Sequence, residues 1–415
     1  MQFIKATTPI SLRHFYAGIF QNKRISDRRE LIPFYAGIFQ NKRMAEQREA
    51  YPFYAGIFLL KRINFDPMHR IHKLDGLRGL FALFVVLFHF NINNAPSALV
   101  NNFFVRTSYI FVDFFFILSG YVITLTYNEK INSGKAFYQF LLKRFIRLYP
   151  LLLFSTLMYW YFVHPFFDEK NIKLALDTLL LTNSTPILGS EIGMNYPSWS
   201  ISSEMISYIA FGICSLIAIH KKKTYFITAI TIGCFAVLAY QQNYFQTGTF
   251  GFIRGLACFN LGYIIYVLAN RKINISKYYE WLIPLAVILI TFILYHSSTI
   301  NPTLNLLIQF LIPIVFACSI FILLKTNGLI SKLLATSPLQ FLGKISYSVY
   351  LNQALVIGFM IPKLFNWIKL PNGDFKKIIC VLIILTILIT YSWITQFFIE
   401  QKLGKTIAKF TNKKN

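Results

Sequence analysis

The residues of this 415-residue sequence that could do chemistry stand out because so few charges interrupt its apolar runs. In KLDGLRGLFALFVVLFH, Asp75, Arg78 and His89 fall within an arc of about 60° if the segment is a helix. That face carries a carboxylate, a guanidinium and an imidazole, with Arg78 and His89 about 16 Å apart along the axis. Neutral imidazole is available as a base near pH 7, and a guanidinium suits an anion. A plainer role also fits, with Arg78 anchoring the helix end and His89 a hydrogen-bonded packing residue. In NYPSWSISSEMISY, Ser200, Ser203, Glu204 and Ser207 share one stripe, which calls for a polar cavity or, more simply, stabilises a helix start. Asp113 stands similarly in FVDFFFILSG, and Arg254 lies in another apolar run. Asp113 and Glu204 are expected at the same end as His89, where either could fix its tautomer. In FLLKRFIRLYP, Lys143, Arg144 and Arg147 precede an apolar run; they set topology or hold the phosphates of a cofactor. No P-loop, GxGxxG, HExxH or GxSxG pattern occurs. The five cysteines have no CxxC pair and are expected as small hydrophobes rather than metal ligands or disulfides.

The elements that must position these groups are membrane helices. Hydrophobic residues make up 55% of the chain and charged ones 14%, against about a quarter in soluble domains, and mean hydropathy is +0.52. The formal charge of +25 does not point to nucleic acid, because the bases sit in short clusters between apolar runs. With about 20 apolar residues needed per crossing, ten spans are expected, at roughly 76–93, 108–127, 148–164, 200–219, 225–241, 250–269, 281–297, 304–324, 345–362 and 377–399. Lys and Arg then fall on alternate sides, 21 against 7, with the larger share on the side of both termini. An all-α bundle with cytoplasmic termini is the expectation. The 165–198 connection contains LALDTLLL, too short to cross, and is expected as an interfacial or re-entrant helix. Of the histidines, His164, His220 and His296 fall at span ends and His89 alone lies well inside a span.

The first 67 residues look different. FYAGIFQNKR occurs at 15–24 and 34–43 and FYAGIFLLKR at 53–62, a period of 19 residues. Such units neither span a bilayer nor build a core. They are either basic, aromatic arms lying on the inner membrane surface or repeated DNA read through upstream of a start at Met68. No secretory signal pattern is visible. The working unit is therefore expected at 68–402, with a basic cytoplasmic tail at 403–415.

Taken in order, KLDGLRGLFALFVVLFH (73–89), FVDFFFILSGYVI (111–123), FLLKRFIRLYP (140–150), PSWSISSEMISY (197–208), RGLACFNLGYIIY (254–266) and GKISYSVYL (343–351) resemble the membrane-bound acyltransferase-3 family, which includes O-acetyltransferases of bacterial surface polysaccharides. The resemblance implies about ten transmembrane helices in the inner membrane. It also implies acyl-CoA, most often acetyl-CoA, as cytoplasmic donor and a glycan hydroxyl on the other side as acceptor. Carried over, the family's first-span Arg and His match Arg78 and His89, its Trp-Ser…Glu motif matches Trp199, Ser200 and Glu204, and its basic motif matches Arg144 and Arg147. Arg254, Tyr350 and Gln353 fall in the matched regions and join Trp199 and Ser200 as substrate-binding candidates. The family often has a His where this chain has Gln353, and a Pro where Gln401 follows Glu400.

These residues imply a mechanism. Attack of a hydroxyl on a thioester needs a base, for which His89 is the candidate, with Asp113 or Glu204 behind it. Arg78, Arg144 and Arg147 would hold the donor's phosphates at the opposite end. No metal is called for. The competing class is a transporter of a lipid-linked sugar or small solute, but residues 70–240 and 250–400 show no internal similarity of the kind many carriers have.

Overall fold

The computed structural model describes residues 71–188, 192–217 and 221–407. The repeated leader, Arg70, His220 and the tail from residue 408 lie outside the described residues. Within them the chain is helical and no strand occurs. In order, the main helices are α1 His72–Phe88, α2 Phe111–Tyr127, α3 Gly134–Val163, α4 Glu169–Leu179, α5 Trp199–Ile217, α6 Lys221–Tyr240, α7 Gly251–Ala269, α8 Leu282–Ile300, α9 Pro302–Lys325, α10 Ser337–Leu355 and α11 Asp374–Thr395. Among the described residues nine helical segments are long and apolar enough to cross a membrane, and they coincide with nine of the ten expected spans. The first expected span is α1, 17 residues or about 25 Å long, which begins four residues and ends five residues earlier than expected. It stops at Phe88 because asparagines compete for the backbone just beyond: Asn93 N donates to Asn91 Oδ1 and Asn91 N to Asn94 Oδ1, both at 2.9 Å. His89 is thus the C-cap of α1, at the helix end rather than inside a span.

The third span also differs from expectation. With good helix formers upstream and no breaker before Pro150, the basic motif and the apolar run form one helix of 30 residues, started by the Ser133 side chain. Arg144 and Arg147 are therefore rigidly tied to the bundle. The 165–198 connection, where an interfacial or re-entrant helix is expected, contains α4, which is amphipathic and too short to span. Asp168 caps it by accepting from Asn171 N at 2.7 Å. Ile172, Leu176 and Leu180 are exposed along one edge, whereas Asp177 and Thr178 are buried on the other. Burial raises the Asp177 carboxyl above its ordinary range, against the opposing hydrogen bond from Thr182.

In lipid, apolar side chains gain little by leaving the tails, so close backbone approach decides which helices pair. The two most extensive pairings, α2 with α7 and α1 with α10, are both built on glycine. A Cβ on Gly120 would come within 1.9 Å of the Phe259 carbonyl oxygen, and one on Gly262 within 2.1 Å of that of Ile117. Likewise a Cβ on Gly79 would meet Gly343 N at 2.4 Å, and one on Gly343 the Asp75 oxygen at 2.2 Å. A ring cluster locks α1, α2 and α9: Phe81 stacks on Phe111 at 4.1 Å and meets Phe114 and Phe316 edge-on at 4.9 and 5.9 Å. Large apolar side chains such as Leu285, Leu307, Ile314 and Leu382 face outward, as lipid contact requires. These pairings bring the end of α1, the start of α2, α5 and α7, and the last turns of α10 to one end of the bundle.

Candidate active site

A cavity of about 350 Å³ lies at that end, with His89, Tyr109, Tyr196, Trp199, Arg254 and Tyr350 in its wall. The His89 ring sits 4.7 Å from that of Tyr196, centroid to centroid, and no described residue forms a hydrogen bond to the imidazole. Tyr196 and Trp199 come from one short segment. Pro197 starts a 3-10 turn, Tyr196–Ser198, that leads directly into α5. The turn is fastened from three directions. Asn183 Nδ2 donates to Ser198 Oγ at 2.9 Å, Asn195 Nδ2 to Ser155 Oγ on α3 at 3.1 Å and to the Leu351 carbonyl on α10 at 3.3 Å, and Met194 N to Thr178 Oγ1 on α4 at 2.8 Å. The candidate base therefore faces a rigid aromatic wall. Tyr350 comes from α10 and lies beside the Ser200 hydroxyl.

Behind Trp199 lies a buried ion pair. Arg254 Nε on α7 donates to Asp113 Oδ1 on α2 at 2.7 Å, and the Tyr244 hydroxyl donates to Asp113 Oδ2 at 2.9 Å. Asp113 is fully buried, and Arg254 is 2% exposed. The Arg254 guanidinium also lies over Trp199, Tyr244 and Phe245, at 5.6, 5.5 and 5.0 Å from their ring centroids.

A second group of charges occupies the other end of α1. Arg78 donates to the Gly343 carbonyl at 2.6 Å and pairs with Asp75 at 3.2 Å. Arg144 is buried, donates to the Tyr127 hydroxyl at 2.8 Å and lies over that ring. Arg147 keeps solvent-accessible surface while lying within electrostatic reach of Glu400, Tyr208, Glu204 and Tyr347. Glu400 in turn faces Arg147 and Arg78, and Ser348 Oγ is 3.5 Å from it. Glu204 accepts from Ser119 and from Tyr208. Among the described residues no three His, Cys, Asp or Glu side chains converge as a metal ion would need.

A family model described as an acyltransferase domain, Acyl_transf_3, matches residues 71–397. The chain belongs to the acyltransferase-3 family. The chain is also 34% identical to "Protein 2 in picA locus" of Rhizobium radiobacter, over 34% of this chain and 80% of that one. It is 35% identical to the peptidoglycan O-acetyltransferase OatA of Listeria monocytogenes, over 23% of this chain and 14% of that one. YrhL of Bacillus subtilis, provisionally named a peptidoglycan O-acetyltransferase, is 26% identical over 81% of this chain and 55% of its own. The chain thus spans little of the Listeria protein and about half of the Bacillus one. No solved structure matches it. It is a multi-pass membrane acyltransferase of the kind that includes O-acetyltransferases.

In this acyltransferase no hydrogen bond joins His89 to either carboxylate expected beside it. Asp113 is engaged by Arg254 and Tyr244, and Glu204 by Ser119 and Tyr208 beside the arginines, so neither carboxylate is hydrogen-bonded to His89. The pairing of α2 with α7 decides the first outcome, because it delivers a guanidinium directly to Asp113. The second follows from helix direction: Glu204 lies one turn into α5, away from the turn that carries Tyr196, and there it meets Ser119 of α2. The serine stripe is mostly internal, since Ser203 and Ser207 donate to the carbonyls of Trp199 and Ser203 at 3.1 and 2.8 Å. Trp199, Arg254 and Tyr350 line the cavity with His89. Gln353, one turn beyond Tyr350, is fully buried outside the lining set, and neither of its amide atoms has a hydrogen-bond partner. Sequence reasoning missed Tyr196, Tyr208, Tyr244 and Glu400. Tyr196 and Tyr208 lie beside and at the end of the PSWSISSEMISY motif and Glu400 at a matched helix end, whereas nothing marks Tyr244 among 24 tyrosines.

Proposed function

We propose that the protein moves an acyl group, acetyl in the first instance, from cytoplasmic acyl-CoA to a hydroxyl of a cell-envelope glycan across the bacterial inner membrane. The observation that carries this reading is the placement of His89. Its imidazole, bonded to no described residue, faces a cavity of about 350 Å³ at the opposite end of α1 from Arg78. The separation along the helix, about 16 Å, suits a donor whose phosphates stay with Arg78 and Arg147 while its extended arm carries the thioester to His89. The acceptor class follows from the relatives named for peptidoglycan O-acetylation.

Arg147 is best placed for the donor, because its side chain keeps accessible surface; Arg144 is committed to Tyr127. Glu400 and Glu204 offset part of the positive charge there, which keeps the empty cluster stable in a low-dielectric surrounding. In the reaction, the acceptor hydroxyl oxygen bonds to the thioester carbon while His89 takes its proton. The carbon–sulfur bond then breaks, and the proton passes from His89 to the sulfur, leaving ester and free thiol. The aromatic wall of Tyr196, Trp199 and Tyr350 keeps bulk water from competing as acceptor.

Inside-out membrane vesicles supplied with radiolabelled acetyl-CoA and loaded with cell-envelope glycan, peptidoglycan included, test this reading. Label on the enclosed glycan that appears only with the protein is the expected result. Label that enters the vesicles without becoming glycan-bound would indicate a carrier and contradict it.

A further inference from the structure

Arg254 has a feature that the ion pair with Asp113 does not explain. Its Nε is used on Asp113, but its Nη2 is buried with no hydrogen-bond partner, and the residue forms part of the cavity wall that holds His89. An unsatisfied buried donor is destabilising, and more so when it belongs to a charged group. Asp113, itself held by Tyr244, and the three rings around the guanidinium leave it little freedom to turn away. A desolvated, positively charged N–H on a residue that shares a cavity wall with a candidate base is suited to stabilising an oxyanion.

We propose that Arg254 donates from Nη2 to the oxyanion formed on the acyl carbonyl, and that Asp113 is the residue that positions it. This rests on the acyl-transfer reading of the cavity. As the acceptor oxygen bonds to the thioester carbon and His89 takes the proton, the carbonyl π pair moves onto the carbonyl oxygen. Arg254 holds that charge without giving up its proton. The pair returns when the carbon–sulfur bond breaks and the sulfur accepts the proton from His89. Asp113 thus acts through Arg254 rather than through His89. Its carboxylate seats the guanidinium through Nε and leaves Nη2 for the reacting oxygen.

The test is kinetic, with the full chain in detergent or nanodiscs, radiolabelled acetyl-CoA and cell-envelope glycan. Arg254→Gln should lower kcat by about 100-fold or more, with KM for acetyl-CoA and for glycan within about threefold of wild type. Asp113→Asn should lower kcat less, and the double variant should be no slower than Arg254→Gln alone, because both changes remove the same donor. Arg254→Lys keeps a charge opposite Asp113 and decides the matter if the Gln variant does not fold; its point-like ammonium lacks the planar fork that holds Asp113 on one nitrogen and offers another elsewhere, so at least a tenfold loss of kcat is expected. A raised glycan KM with unchanged kcat would make Arg254 an acceptor-binding residue and overturn the proposal, as would additive losses in the double variant or full activity in Arg254→Lys. A wild-type protein that transfers no acetyl would overturn the acyl-transfer reading and this proposal with it.

Discussion

Arg144 and Arg147 lie one turn apart on α3 yet have different surroundings, and the difference gives separate predictions for the two. Arg144 is buried against Tyr127, with its Nε unpartnered, whereas Arg147 keeps accessible surface among Glu400, Tyr208 and Glu204. Arg147→Ala should weaken acetyl-CoA binding by about tenfold, or about 1.4 kcal/mol, and leave thermal stability nearly unchanged. Arg144→Ala should lower stability by about 1–3 kcal/mol, since it removes a buried side chain and its charged donor from the Tyr127 hydroxyl. Calorimetric titration with acetyl-CoA and thermal unfolding in detergent measure the two effects; unchanged donor affinity in the Arg147 variant would return that residue to a topological role. The sequence shows which side chains are ionised in apolar surroundings but not whom they meet. Asp113 and Arg254 are 141 positions apart, and only the packing of α2 on α7 joins them. Tyr244 was hidden for a different reason, because an aromatic residue away from any motif carries no distinguishing mark in a chain with 43 phenylalanines and 24 tyrosines.

The helices themselves were more legible, because the bilayer imposes a length and a composition that a sequence cannot avoid showing. Their ends were less so. α1 stops early at a cluster of asparagines, and α3 continues through the basic motif because nothing there breaks it. Helix partners were not legible at all from hydropathy, since they depend on glycines whose role appears only once two backbones touch. Gly120 and Gly262 carry the α2–α7 crossing, and that crossing delivers Arg254 to Asp113. Gly120→Leu should therefore push the helices apart, destabilise the protein by several kcal/mol and abolish activity while residues in the other pairings stay unchanged. Unfolding and transfer assays on the purified variant check this; wild-type stability would show that the crossing is not under such close constraint. By contrast Gly134, next to no side chain or backbone within 4 Å, should accept Ala with little effect.

At the scale of the whole molecule, the excess of basic residues is the topological signal. Lys and Arg number 41 against 16 Asp and Glu, and after Met68 the bases fall 21 to 7 on the two sides of the spans. A single cysteine at Lys405 in a cysteine-free background should react with an impermeant maleimide only from the cytoplasmic side, and one at Lys170 only from the other. The reverse pattern would place His89 at the cytoplasmic face and undo the directional reading. The architecture then amounts to two charged stations on one helix bundle: an arginine and glutamate group at one end, and at the other a histidine facing an aromatic cavity with a buried arginine in its wall. What joins them is α1, whose length sets the distance over which the proposed acyl donor would reach. The most direct test is acetyl transfer from radiolabelled acetyl-CoA to cell-envelope glycan by wild type and His89→Ala at matched membrane abundance. Loss of transfer by about 100-fold or more in the variant, with acetyl-CoA binding retained, is the predicted result; a His89→Ala protein that transfers at the wild-type rate would contradict the account.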